Sequence, residues 1–180
     1  MSRRSLSLAR KMIEQRFAHE VRASGRTLSG YVARFGTEAR IGSFVEVIKP
    51  GAFRASLDSG ADVLALADHD PSRVLGRTRS GTLHLAEDGE GLAFSLQLPD
   101  TQAGRDLVAL AERGDLGGCS FGFTVGADGE RWTGNKRELR AVTLHEVSIV
   151  QSWPAYDGTS ANLRHRMPHA DHRRLWLETV

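Results

Sequence analysis

The sequence predicts a mainly β domain with helices, an α+β chain closed into a barrel or sandwich. Three observations predict it. Eight or nine short strand-like runs follow one another between residues 28 and 150, each bounded by turn residues. Nineteen glycines and seven phenylalanines point to a turn-rich, sheet-rich chain rather than a helical bundle. Only one long helix is well signalled within that region. At 180 residues and 40% hydrophobic content the chain can bury one full core but not two.

Taken in order, residues 5–23 can form a helix, with Leu6, Ala9, Ile13, Phe17 and Val21 along one side and mostly charged residues on the other. Gly25 stops it. Strands are expected at Leu28–Phe35 and Phe44–Ile48, joined between Gly36 and Gly42. Pro50-Gly51 breaks the second, and Ala52–Leu57 reads as a short helical turn with Pro50 near its start. Asp62–Ala67 is a compact apolar run that suits a buried strand, and it delivers Asp68-His69-Asp70-Pro71 as a loop. Val74–Arg79, Thr82–Glu87 and Gly91–Leu98 follow as strands, the last two forming a hairpin around Asp88-Gly89-Glu90. Asp100 or Thr101 can cap a helix that runs to Arg113 and ends at Gly114. Leu116–Val125 is a strand, a hairpin turns at Thr133-Gly134-Asn135-Lys136 between Trp132 and Leu139, and Ala141–Val150 closes the series before Trp153-Pro154. No firm element is expected beyond Asn162, although Leu175–Leu177 can dock weakly.

Charge divides the chain further. Residues 1–26 carry seven Lys/Arg against two Asp/Glu, a balance of +5, and residues 161–180 carry four against two, a balance of +2. The stretch between holds thirteen against eighteen, a balance of −5. The expected organisation is a basic helical N-terminal extension (1–26), a β-barrel body (27–160) and a basic flexible tail (161–180), whose ends serve a partner or are dispensable. Their charge is too modest to favour nucleic acid. No apolar run approaches the ~20 residues of a membrane span, and the N-terminus lacks the apolar stretch of a signal peptide. A lone cysteine, Cys119, excludes an internal disulfide and fits a reducing, cytosolic setting.

The chemistry centres on Gly118-Cys119-Ser120-Phe121-Gly122-Phe123-Thr124-Val125. Alternation puts Cys119, Phe121, Phe123 and Val125 on one face of a strand and Gly118, Ser120, Gly122 and Thr124 on the other. The first face suits a core. The second is nearly bare around one hydroxyl, which predicts close approach by a neighbouring backbone or by an extended substrate. A serine becomes a nucleophile when a base takes its proton, most often a histidine. Of seven histidines, His19, His165, His169 and His172 lie in the basic ends, and His84 alternates outward from Leu83 and Leu85. His69 ends a buried strand between two aspartates, where loops commonly display functional groups. Cys119 is the rival nucleophile, but it shares the phenylalanine face. An orienting third group can come from Glu146 or His145, or from Asp70 beside the base. Alternation groups Glu146 with Leu144 and Ser148, and His145 with Val147 and Ile149; a charge there can also guard an edge strand. A metal site built from Asp68, His69 and Asp70 lacks further ligands at a recognisable spacing, so no metal and no cofactor are expected.

Several segments together resemble the prohead maturation proteases of tailed bacteriophages, a family related in fold to herpesvirus assemblin. They are Gly30-Tyr31-Val32, Glu46-Val47-Ile48-Lys49-Pro50-Gly51-Ala52-Phe53, His69-Asp70 with Leu75-Gly76, Gly91-Leu92, Ser120-Phe121-Gly122-Phe123, and Leu144-His145-Glu146-Val147-Ser148-Ile149-Val150 with Pro154-Ala155-Tyr156. They occur in the family's order over residues 28–160. The resemblance implies an assemblin-like β-barrel flanked by short helices, and a serine endopeptidase that trims scaffold and major capsid protein precursor inside an assembling procapsid in the host cytoplasm. It implies His69 as general base, Ser120 as nucleophile and Glu146 as third member, where assemblin relatives use a histidine. The arginine that assemblin relatives place after the triad has no counterpart here: Arg140 precedes Glu146 and Arg164 lies beyond the matching region. The resemblance further implies a peptide substrate and self-trimming at the basic ends, and it allows a homo-oligomer; on composition and charge, neither a membrane nor a specific nucleic acid is expected as a partner. A non-catalytic β-barrel module that scaffolds the procapsid is the alternative.

Overall fold

A computed structural model describes residues 12–18 and 21–152. In chain order the elements are β1 (Glu14–Ala18), β2 (Val21–Ser24), β3 (Thr27–Arg34), β4 (Glu38–Ile41), β5 (Phe44–Ile48), α1 (Arg54–Asp58), β6 (Leu64–Ala67), β7 (Asp70–Arg77), β8 (Leu83–Glu87), β9 (Gly91–Gln97), α2 (Gln102–Arg113), β10 (Gly118–Val125), β11 (Glu130–Thr133), β12 (Lys136–Leu139) and β13 (Val142–Val150). They form a five-stranded sheet in the order β1-β10-β13-β6-β7 and two four-stranded sheets, β11-β12-β5-β4 and β2-β3-β9-β8. The expected mainly β architecture with helices is the observed one.

The helix α2 matches its sequence signals closely. The Thr101 side chain accepts the Gly104 N–H, and Gly114 takes the left-handed conformation (φ 75°) that lets its amide close the last turn. Its Leu107 is fully buried. The N-terminus of α1 is held from outside: the Glu87 carboxylate accepts the backbone N–H groups of Gly51 and Phe53.

The N-terminal extension differs from expectation. Where a helix is expected across 5–23, the described part consists of β1, paired antiparallel with β10, and β2, paired antiparallel with β3. An amphipathic stripe is compatible with either form, and tertiary pairing decides. The edge of β10 would otherwise leave a row of backbone donors and acceptors unpaired, and β1 satisfies them. Its Arg16 side chain reaches Glu46 on β5 through two hydrogen bonds, 2.5 Å and 2.8 Å. Residues 1–11, His19, Glu20 and the C-terminal stretch 153–180, including the expected flexible tail and the Pro154-Ala155-Tyr156 match, lie outside the described residues. Strand β4 has no counterpart in the sequence-based reading, and β7 begins at Asp70 rather than Val74.

The core fills one face of the five-stranded sheet. Cys119, Phe121 and Phe123 of β10, Val147 and Ile149 of β13, and Ala65 and Ala67 of β6 point into it, together with Phe53, Leu28, Leu92 and Leu96. Burying an aromatic or aliphatic side chain of this size contributes about 1.5–3 kcal/mol. Phe53 meets Phe121 edge-on at 5.6 Å between ring centroids. The sheet is thereby anchored on one face, which leaves its other face to carry polar groups.

Candidate active site

Strand β10 shows its two faces as alternation predicts. Cys119 is fully buried in the core, with its thiol against the Tyr31 carbonyl at 3.2 Å. Ser120 points to the opposite face, between β1 and β13: its cross-strand neighbours are Phe17 and Ser148. Directly opposed residues of an antiparallel pair share a face, with Cβ atoms ~4.5–5.5 Å apart. Ser120 is 3% exposed.

The bare face around Ser120 is not vacant. A Cβ on residue 118 would stand 2.3 Å from the Ala18 carbonyl oxygen and 2.9 Å from the Phe17 ring, and the backbone there has φ 146°. A Cβ on residue 122 would stand 2.6 Å from Glu146 Oε1. The expectation that these glycines leave room for an extended substrate is therefore corrected: the chain's own β1 and its own carboxylate fill the space. Of the two uses of strand glycine, close approach of neighbouring groups is the one realised.

Glu146 reaches this place because β13 is irregular. Gly122 pairs with Glu146 but Phe123 pairs with Leu144, so His145 is an extra residue, a β-bulge. Strict alternation would put Leu144 and Glu146 on one face. The bulge sends Leu144 to the core with Phe123 and turns Glu146 to the Ser120 face, with Ser148. His145 instead makes a 3.0 Å hydrogen bond through Nε2 to Thr124 Oγ1. Strand β13 is central in its sheet, so Glu146 does not guard an edge.

His69 arrives from the next strand over. Strand β6 runs parallel to β13, with Ser148 beside Leu66 and Ile149 beside Ala67. After Ala67 the chain reverses into β7, and Ala67 pairs with Asp70 across a two-residue loop, Asp68-His69. Both loop residues have positive φ, 52° and 60°, which a tight type I′ hairpin turn requires. Holding two non-glycine residues there costs of order 1–3 kcal/mol each. Asp68 offsets this. Its amide donates to the Ile149 carbonyl at 3.0 Å, and its carboxylate accepts from the Gln151 amide at 2.9 Å, from Gln151 Nε2 and from Arg73 Nη1 at 3.0 Å. Asp70 is occupied locally, accepting from the Ser72 N–H and Oγ, which holds its carboxyl below the usual carboxylate range. Pro71, a residue that cannot donate to a ladder, falls on the edge strand β7.

The turn lays the imidazole on Glu146. His69 Nδ1 and Glu146 Oε1 are 2.7 Å apart, and their side chains are 20% and 11% exposed. The His69 backbone N–H donates to Ser148 Oγ at 3.2 Å, and Ser148 Oγ donates to Glu146 Oε2 at 2.6 Å. Of the three candidates for the carboxylate or imidazole partner of His69, the structure brings Glu146 to it and engages His145 and Asp70 elsewhere. Ser148, opposite Ser120 and touching both other groups, is the site residue that sequence reasoning passed over. An Nδ1–H donated to Glu146 leaves Nε2 with a lone pair, the tautomer a general base needs. Among the described residues no group of three or more His, Cys, Asp or Glu side chains is arranged to hold a metal ion.

A second polar cluster fastens β1 beside this site. Arg137 on β12 pairs with Glu14 on β1, with Glu46 on β5 and with Glu130 on β11, and Arg16 on β1 pairs with Glu46 and Glu14. Burial opposes the charge on Arg137, yet Glu14, Glu130 and Glu46 hold its proton more tightly than usual. Burial likewise pushes the Glu14 carboxyl up, and Arg137 and Arg16 outweigh it, leaving it below the usual carboxylate range.

A family model described as Caudovirus prohead serine protease matches residues 13–173. No curated protein matches the chain. Among solved structures, the capsid assembly protease gp21 of bacteriophage T4 superposes with a TM-score of 0.52, at 11% identity, over 78% of this chain and 97% of that one. At that identity the likeness speaks for a shared fold alone.

Proposed function

The chain belongs to the Caudovirus prohead serine protease family, and from that premise we propose that it is a serine endopeptidase that cleaves scaffold and major capsid protein precursor inside the assembling procapsid, with Ser120 as nucleophile, His69 as general base and Glu146 as the group that orients the base. The observation that carries this reading is the 2.7 Å contact between His69 Nδ1 and Glu146 Oε1, made on the sheet face to which Ser120 points.

In this reading Ser120 Oγ attacks the scissile carbonyl carbon while His69 Nε2 takes its proton. Glu146 keeps the ring in the tautomer with Nδ1–H and stabilises the imidazolium that forms. The imidazolium then gives its proton to the leaving amine, and the C–N bond breaks to leave an acyl-Ser120. Water, deprotonated by the same nitrogen, attacks the ester and releases Ser120. The basic ends are substrates of the same chemistry in this proposal, trimmed by the enzyme itself.

Co-expression of the full chain with a capsid precursor, followed by intact-mass measurement, tests the reading. Wild type is expected to shorten the precursor, and Ser120→Ala and His69→Ala to leave it whole. Processing that survives Ser120→Ala but is lost in Cys119→Ala would refute the assignment of the nucleophile. A wild-type chain that assembles with the precursor without cutting it would favour the scaffolding alternative. Full-length chain recovered in quantity from mature particles would count against self-trimming.

A further inference from the structure

We infer that Ser148 is a positioning residue of this site, a fourth polar member that sets the base and its carboxylate together. The inference rests on the protease reading above. Ser148 is fully buried, and a buried hydroxyl in a sheet needs partners. Its partners are not incidental ones. It accepts the backbone N–H of His69 at 3.2 Å and donates to Glu146 Oε2 at 2.6 Å. It is also the cross-strand neighbour of Ser120.

These contacts divide the work between the two carboxylate oxygens. Oε1 meets the imidazole and Oε2 meets Ser148, so the carboxylate cannot rotate about its last bond without breaking one of them. The amide of His69 belongs to a loop with positive φ at both residues, a backbone that is held only by the contacts around it. One hydroxyl thus fixes the backbone that carries the base and the plane of the group that orients it. Ser148 touches neither the peptide nor the proton in flight, and it acts through Glu146 and His69.

The test uses a fluorophosphonate probe on the full chain, with saturating labelling rate and half-saturating concentration measured separately. Ser148→Ala is expected to lower the saturating rate by about 10- to 100-fold, the scale of a misplaced reacting group, with the half-saturating concentration unchanged. In a Glu146→Ala background the same substitution is expected to change the rate by no more than about twofold, because residues that act as a unit are not additive. Wild-type labelling by Ser148→Ala, or an equal loss in both backgrounds, would overturn the inference and leave the protease reading intact. Should Ser148→Ala not fold, Ser148→Cys retains the size with a weaker donor and is held to the same outcomes. A wild-type chain labelled nowhere at Ser120, with the precursor uncut, removes the protease reading and this inference with it.

Discussion

Glu146 lies over Gly122 so closely that a Cβ on residue 122 would stand 2.6 Å from Oε1 and 3.0 Å from Cγ. The glycine two residues after Ser120 is thus the seat of the carboxylate that meets His69.

Gly122→Ala is therefore expected to move Glu146 off the imidazole. Overpacking a tight site costs about 1–3 kcal/mol, so the protein should remain folded with a lower melting temperature. The labelling rate of Ser120 should fall by about 100-fold. Wild-type labelling in a folded Gly122→Ala chain would show that the His69–Glu146 contact is not needed.

Glu146→Gln removes charge while keeping shape. An amide NH₂ turned toward Nδ1 favours the tautomer with the proton on Nε2, which cannot accept from Ser120. Precursor cleavage is expected to fall by ~10³–10⁴-fold, with little change in melting temperature. A loss smaller than tenfold would argue that Glu146 does not orient the base.

Asp68→Ala withdraws the acceptor that holds Gln151 and Arg73 to the turn. Leaving such donors unsatisfied costs about 1–3 kcal/mol, and alanine adopts positive φ poorly. Asp68→Asn, which tolerates that conformation, should lose less. Chemical denaturation of both variants checks the order, and Asn falling below Ala would contradict this account of the turn.

The Arg137 cluster makes two predictions of its own. Among the described residues, Arg137→Met leaves Glu46, 2% exposed, with Arg16 as its remaining cationic partner, and removing one member of a buried ion pair costs about 3–5 kcal/mol. A loss below about 1 kcal/mol in denaturant, the range of surface pairs, would refute the importance of the network. Acid should weaken it as well. The folded carboxyl of Glu14 titrates below its ordinary value of 4.5, so its contribution to stability is fully present above that value and is lost as pH falls through the folded pKa. Unfolding midpoints measured from pH 6 downward should show this loss in wild type and a smaller one in Glu14→Gln.

Much of this site is legible in the amino-acid sequence. Alternation along β10 separates Ser120 from Cys119, because side chains on a strand can point in only two directions. The run ending at Ala67 presents His69 at a strand end, and the succession of sequence segments from Gly30 to Tyr156 carries the family resemblance. The irregular features were not legible. The bulge at His145 places Glu146 and Leu144 on opposite faces, and no residue type in that run announces it. Asp68-His69 lacks the Asn-Gly or Asp-Gly signature of its turn, since long-range bonds to Ile149 and Gln151 hold it instead.

By itself, then, the amino-acid sequence determined the mainly β class, the helix α2 with its caps, the two faces of β10 and the identities of the base and nucleophile candidates. Those depend on neighbours a few residues apart, which composition and spacing record. The tertiary structure alone decided that Glu14–Ala18 is a strand, that the glycines beside Ser120 are filled, and that Glu146 and Ser148 both reach His69. Each depends on a partner distant along the chain, as Glu46 is from Arg16 at a separation of 30 positions and Glu146 from His69 at 77, and a local pattern carries no record of what folding brings beside it.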